Sequence, residues 1–490
     1  MRNSREMKRL TVALAIVLTI GGCSEPGQSS QESAAVAPAG ALTGTAAPAP
    51  ETDPAESPQS TFAMDVDTAS YDYARNLIGQ GSLPAPETVR PEEFINAFRH
   101  PYPQPVADGF SITMDGARLP DSHRATPDGD VRLLRVGLQT RADDVSVRPD
   151  AQLTFVLDIS GSMADPGKLD VVKDALRAYA EQARPTDEVA IVTFSDEAEV
   201  LREMSPVRDR GGLIEAVDRL KTEGGTDLGQ GLTRGYEVAR ASFREGATNR
   251  VVLVSDALAN IGNTGSSAIL AQVREAAAKQ ITLLGVGVGN DYGDRLMEEL
   301  ADNGDGFTVY ISGTTDAREV FVHQLPAALP VRALDAKTQV TFDPATVAGY
   351  RLVGYDNRRL DASDFRDDSV DGGEVMAGHS VTALYLVRLR PGANGPVAHT
   401  QLRWQDPGDR TPQEAGADVT TASLSGTFED AVAGLQVTYV AAWFAEQLRH
   451  GDQAGAISRP ALLTLADTTA ARADDPAVTE LAALIRRSGE

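Results

Sequence analysis

Between about Ala151 and Leu329 short runs of Val, Ile and Leu alternate with stretches of helical periodicity, and this alternation limits the possible folds more than any other feature. "QLTFVLD", "EVAIVTFS", "RVVLVSD", "ITLLGVGV" and "FTVYIS" are strand-length and apolar without polar alternation. Between them, "KLDVVKDALRAYAEQA" sets Leu169, Val172, Leu176, Tyr179 and Ala183 along one helical face, and "LGQGLTRGYEVARASF", "AILAQVREAAAK", "RLMEELAD" and "AREVFVHQL" continue the pattern. Strands apolar on both sides need cover on both faces, which crossover helices supply. The expected fold is therefore α/β: a doubly wound, mainly parallel sheet over residues 151–329. In such sheets ligands sit at the carboxyl ends of strands.

The sequence changes character on both sides of this segment. Residues 61–150 begin with helical spacing at Tyr71, Tyr73, Ala74, Leu77 and Ile78 and pass, from Gly109, into the alternating runs "FSITMDGARL" and "VRLLRVGLQTR". Residues 330–490 resume the alternation in "KTQVTFD", "YRLVGY", "SVTALYLVRLR" and "AHTQLRWQD" before closing in helices. Trp443 falls on the apolar face of one of these, where helical spacing favours the core over a partner surface. Each flank has too few strands to bury two faces, so the two are expected to pair across the inserted α/β domain as one sandwich. Insertion requires the ends of the module to lie close together. The polar strand ends are expected at the edge away from that junction.

The first residues resemble an address. Arg2, Arg5, Lys8 and Arg9 precede "LTVALAIVLTIGGC", an apolar run too short for a good membrane span and suited to a secretory signal. "IGGC" resembles the lipobox of bacterial lipoproteins, which implies cleavage after residue 22 of the 1–23 signal segment and acylation of Cys23, the chain's single cysteine. Ser24 at the next position resembles an outer-membrane sorting signal, on the side of the periplasm or of the cell surface. Residues 24–60 have almost no large apolar side chains and are expected to form a disordered tether. The net charge of -25, from 45 basic and 70 acidic residues, argues against a nucleic-acid partner.

Three strand ends carry oxygen donors. "DISGS" offers Asp158, Ser160 and Ser162, "TEGGTDLG" offers Thr226 from a glycine-rich loop, and Asp256 closes "RVVLVSD". Carboxylates and hydroxyls suit a hard divalent cation, Mg2+ or else Mn2+ or Ca2+, that keeps some water. Together, in this order, the three fragments resemble the metal-ion-dependent adhesion site of von Willebrand factor A domains. The resemblance implies Asp158, Ser160, Ser162, Thr226 and Asp256 as metal ligands, the last often through water. Ala257 and Leu258 depart from the family, where a glycine and a polar residue are common. The flanks "STFAMDVDTASYDYARNLIGQGSLP" and "GYDNRRLDASDFRDDSVDGGEVMAGHSVTALYLV" resemble those of bacterial A-domain lipoproteins.

This resemblance implies a protein of the cell envelope that is not an enzyme, binding an unidentified protein through an acidic residue offered to the metal and the membrane through its lipid. Rim specificity is expected from Met163, Asp165, Gly225, Asp227 and Asn260. The competing readings are a metal-dependent phosphoesterase and a carbohydrate or peptidoglycan binder. A phosphoesterase would call on Lys168 as its candidate lysine, which is more simply the start of a helix. None of His100, His123, His323, His379, His399 and His450 forms a motif with the serines. His323 falls in an apolar helix, where packing or capping is expected. "GVGVGND" lacks the full dinucleotide spacing and fits a strand end followed by a turn.

Overall fold

The computed structural model describes residues 50–64, 66–107, 109–123, 129–142, 148–256, 266–289, 295–327, 331–368, 370 and 372–489. Cys23, most of the expected tether and Asn260 fall outside them. Three strands precede the central domain: β1 (Gln59–Ala63), β2 (Phe110–Arg118) and β3 (Asp130–Thr140). The central domain supplies β4 (Ala151–Asp158), β5 (Glu188–Phe194), β6 (Ala198–Pro206), β7 (Thr248–Ser255), β8 (Ile281–Val288) and β9 (Phe307–Ile311). After it come β10 (Val331–Phe342), β11 (Val347–Val353), β12 (Arg359–Leu360), β13 (Gly373–Met376), β14 (Ser380–Leu389), β15 (Pro396–Gln405) and β16 (Pro412–Thr420).

The central sheet runs β6-β5-β4-β7-β8-β9, all parallel except the edge strand β6, which is antiparallel to β5. Every residue of β4 and of β8 is buried, as strands covered on both faces require. Alternate side chains divide between two cores. Leu153, Phe155 and Leu157 meet Val172, Leu176 and Phe321 on one face, where Phe155 and Phe321 stack at 6.0 Å. Val156, Val192 and Phe194 meet Leu232, Tyr236 and Met297 on the other. Helix Leu228–Ala241 lies close to the sheet at Gly235, where a Cβ would come 2.3 Å from Val156 Cγ2.

The flanks pair across the insertion. β1 is antiparallel to β10, and β14 joins β3 in register from Ser380↔Gln139 to Leu389↔Asp130. One sheet runs β12-β1-β10-β15-β16 with β13 on β10, the other β11-β14-β3-β2. Phe62, Val340 and Leu402 of the first share a core with Leu134, Val136 and Tyr385 of the second. The far face of the second sheet, through Leu133, Ala117 and Leu384, packs on helix Ala433–Leu448. Trp443 is fully buried there, stacked on Tyr439 at 4.1 Å.

Paired backbone is already present before the expected tether boundary at Ser60. Thr52 bridges Tyr350, and Gln59 and Ser60 are already in β1. The composition of residues 24–60 conceals this because the strand's partner, Thr341 opposite Gln59, lies far along the chain.

The flanks also cover the exposed edge of the central sheet. Helix Ala69–Gly79 packs on β9 with Tyr73 edge-on to Tyr310 at 5.6 Å, and Asp67 Oδ1 accepts from Thr308 N at 2.8 Å. An unpaired strand edge is thereby closed by a carboxylate and a helix. The chain enters the domain at Ala151, and Asp158 stands at the other end of β4, so the polar strand ends face away from that junction.

Candidate metal centre

Asp158 ends β4 just where the apolar run stops, and its carboxylate turns back into the protein. It is fully buried: Oδ1 accepts from Ser160 N at 2.8 Å and Oδ2 from the Ser255 hydroxyl at 2.6 Å. A location on the surface rim, which strand-end placement suggests, is therefore not what the fold provides. Burial holds the Asp158 carboxyl above its ordinary range, while the bonds from Ser160 and Ser255 pull it down.

From Asp158 a polar chain runs outward. Ser160 Oγ lies 3.1 Å from Ser162 Oγ, and Ser162 donates to Asp256 Oδ1 at 2.9 Å. Ser160 is buried, Ser162 is exposed and Asp256 is buried, so the cluster opens at Ser162. Gly161 begins a 3-10 turn through Ala164, and its N–H donates to Gly224 O at 2.9 Å. Glu223 N donates to Ile159 O at 2.6 Å, so the glycine-rich loop is laced to the first loop from both directions. Half-buried Thr226 is carried on that second loop, which Asp227 ends by capping helix Leu228–Ala241 through Gln230 N.

Sequence reasoning placed Lys168 at the start of a helix, and Leu169–Gln182 does follow it. Its side chain, however, enters the cluster. Lys168 Nζ donates to Asp256 Oδ2 at 2.7 Å and lies 3.6 Å from Asp165. The stem crosses Gly289, where φ is +90° and a Cβ would stand 2.7 Å from Lys168 Cε. Gly289 closes the run "GVGVG" after β8, so the glycine serves close approach to a lysine and a turn. The helical pattern around Lys168 gave no signal of this contact, although the nearby glycine-rich strand end is its trace.

The expected rim divides. Asp165 is exposed, and Gly225 and Asp227 are half-buried. Met163 is 1% exposed and belongs to the core with Leu157 and Val172, because the 3-10 turn folds it under the loop. It is not a rim residue. Both carboxylate oxygens of Asp227 accept from Gln230, at 3.0 and 2.8 Å. Four of the histidines are engaged elsewhere: His100 bonds Thr438, His123 bonds Tyr439, His379 lies against Phe307 and His399 pairs with Asp418. The His323 side chain lies outside the described residues.

The donors gathered here are all oxygen, two carboxylates with hydroxyls between them, and such a set fits a hard divalent cation that keeps part of its water. Among the described residues no three His, Cys, Asp or Glu side chains form a metal-ligating group, so an ion here would depend on the hydroxyls as well as on the two carboxylates. Asp158, Ser160, Ser162 and Asp256 would hold the ion, with Thr226 supplied by the adjoining loop.

Thr226, expected at a strand end, sits instead between helices Arg210–Arg219 and Leu228–Ala241. Two strand ends, β4 and β7, and one helix-to-helix loop therefore bring these donors together, and the comparison with known proteins decides the domain. Residues 152–323 match the von Willebrand factor type A domain. The chain contains a von Willebrand factor type A domain. Residues 327–396 match the family described as "Uncharacterized protein YfbK, C-terminal", and residues 45–126 match one described as "von Willebrand factor". "Uncharacterized protein YfbK" of Escherichia coli (strain K12) is 31% identical over 344 residues, which cover 68% of this chain and 59% of YfbK. Inter-alpha-trypsin inhibitor heavy chain H3 of Homo sapiens is 31% identical over 173 residues, 34% of this chain and 19% of the heavy chain. Among solved structures, a von Willebrand factor type A protein from Catenulispora acidiphila aligns with a TM-score of 0.45 at 17% identity, covering 74% of this chain and 87% of the other. The YfbK-like part continues directly from the A domain into the sandwich strands β10 to β14.

Proposed function

We propose that the protein is a lipid-anchored envelope protein whose A domain binds a protein partner through a divalent cation. The observation that carries this reading is the polar chain that joins buried Ser160 and buried Asp256 through Ser162, whose exposure opens the cluster to solvent at the strand ends opposite the junction with the flanks. A cation held by these oxygens, Mg2+ foremost and Mn2+ or Ca2+ as substitutes, supplies a positive centre for an outside carboxylate. The chain's own residues fix where that carboxylate arrives: Asp158 is locked by Ser160 N and Ser255, and the glycine-rich loop is locked by Gly161 and Ile159.

The surrounding surface refines the partner. Asp165, Asp196 and Glu223 are exposed on these loops, and a second acidic patch would be repelled by them. The fitting ligand is therefore a single Asp or Glu set among Lys and Arg. Anchoring rests on the Cys23 lipobox, with the outer membrane as the expected location. A phosphoesterase gains a lysine in Lys168, but that ammonium is committed to the Asp256 carboxylate at 2.7 Å instead of standing open to a phosphate. Binding without turnover is the reading that this geometry favours.

The test is a pull-down of the full chain against envelope extract in Mg2+ and in chelator, beside the Asp158→Asn variant. A partner retained only by the wild type in Mg2+ is expected. Equal retention in chelator, or equal retention by the variant, would overturn cation-dependent binding.

A further inference from the structure

We infer that Lys168 is a built-in counter-charge that keeps the centre's affinity for a free cation low and makes firm cation binding depend on a carboxylate from the partner. The inference rests on the proposed metal-dependent binding and adds how that binding is regulated. Its ground is a contact at the heart of the cluster: Lys168 Nζ donates to Asp256 Oδ2 at 2.7 Å while Asp256 Oδ1 accepts from Ser162 at 2.9 Å.

The lysine is held in place by its surroundings. Its side chain is 7% exposed, and the stem is pressed along Gly289, where any side chain would collide with it. A solvated surface lysine would swing away at little cost, but this one would leave the buried Asp256 carboxylate without its ammonium counter-charge.

The charge balance follows from these contacts. Of the two carboxylates bonded into the hydroxyl cluster, Asp158 and Asp256, one is matched by the Lys168 ammonium, so this ligand set offers a divalent ion less negative charge than its carboxylates alone would; exposed Asp165, 3.6 Å from the ammonium, lies outside the set. Affinity of oxygen sites for such ions follows the number of ligand charges and the rigidity of the cage. The loaded centre is left with a net positive charge that one outside carboxylate neutralises. Cation and carboxylate therefore strengthen each other's binding, and by linkage they do so equally. Lys168 acts through Asp256 as a positioning residue, orienting one oxygen toward Ser162 while occupying the other.

The experiment is calorimetric titration of Mg2+ into the full chain and into Lys168→Met, which keeps the stem and removes the charge. Lys168→Gln, which keeps a donor toward Asp256, is the second variant. Both variants are expected to bind Mg2+ about tenfold more tightly than the wild type. Excess acetate is expected to strengthen Mg2+ binding more in the wild type than in either variant. In chelator the variants are expected to melt below the wild type and to gain more from added Mg2+. A lysine that merely supports the loop gives equal or weaker Mg2+ binding when removed, and that result overturns the inference while leaving the metal centre standing. If wild type and variants all fail to take up Mg2+, the metal centre itself falls, and this inference with it.

Discussion

The Ser162 hydroxyl donates to Asp256 Oδ1 at 2.9 Å, joining two strand ends that lie 94 residues apart in the chain. Such a bond holds two loops at one separation, so on the proposed reading a cation would meet a formed site instead of ordering it. Asp158 supplies charge at the buried end of this cluster. Asp158→Asn keeps the shape and removes the charge, whereas Asp158→Ala also strips a partner from Ser160 N and Ser255, at a cost of about 1–3 kcal/mol for each buried group left unpaired. The expected outcome is loss of saturable Mg2+ or Mn2+ binding in both variants, with the alanine variant also less stable. Calorimetry and thermal melting check this together, and unchanged cation affinity in Asp158→Asn would reject the ligand assignment.

The anchor is tested at Cys23. Cys23→Ser removes the only thiol in the sequence, so lipid labelling and membrane-fraction association should both be lost. Fractionation of cells producing each form checks it. A serine variant that stays in washed membranes after its signal has been removed would mean that another surface holds the protein there.

Much of the A domain is legible because its strands are buried on both faces, which leaves runs such as "TFVLD" with no polar position. The site loops are legible for the complementary reason that hydroxyls and carboxylates interrupt those runs at the strand ends. Lys168 is not legible, since a lysine opening a helix is ordinary and only the fold brings it to Asp256. Met163 looks like a rim residue until the 3-10 turn buries it beneath the loop. β1 is hidden by its polar neighbours in sequence, because its stability comes from β10 and β12 rather than from its own five residues. The pairing of the flanks was legible from strand number alone: each flank had a face to bury and too few strands to bury it.

A further prediction concerns the point where the chain enters the A domain. Asp187 is fully buried, with Arg148 donating to both of its oxygens at 3.0 and 2.5 Å, and Ala151 N and Arg184 N adding bonds at 2.9 and 3.0 Å. Asp187→Ala leaves the Arg148 guanidinium buried without its counter-charge, and loss of one partner of such a pair costs about 3–5 kcal/mol. Replacing both residues by apolar ones, Arg148→Met with Asp187→Leu, is expected to recover the part of that loss due to the unpaired guanidinium, while Ala151 N and Arg184 N stay without their acceptor. Denaturant unfolding of the two variants checks it, and a single variant within about 0.5 kcal/mol of wild type would show that the clamp is not stabilising.

The pH dependence of stability is tested most cleanly at His123. Its ring packs against Trp443 and Tyr439 with centroids 5.3 and 6.1 Å away, and Nδ1 lies 2.9 Å from the Tyr439 hydroxyl. Burial pushes this imidazole down to about 4. In the unfolded chain it titrates near ~6.5. As pH falls below that value the unfolded state takes up a proton that the folded state refuses, so stability is lost through the interval and the loss is complete below the folded value. The full loss is on the order of 3 kcal/mol. Other groups titrate here too: burial lowers His379 to about 4, with the same sign, and raises Asp335 to about 6, which adds stability as pH falls. The difference between wild type and His123→Gln isolates the one ring. At neutral pH the wild type is expected to be the more stable, and its advantage should shrink steadily from about pH 6.5 to about pH 4. Unfolding free energies measured across that range decide it, since an advantage that stays constant would mean the ring is protonated as readily inside the protein as outside.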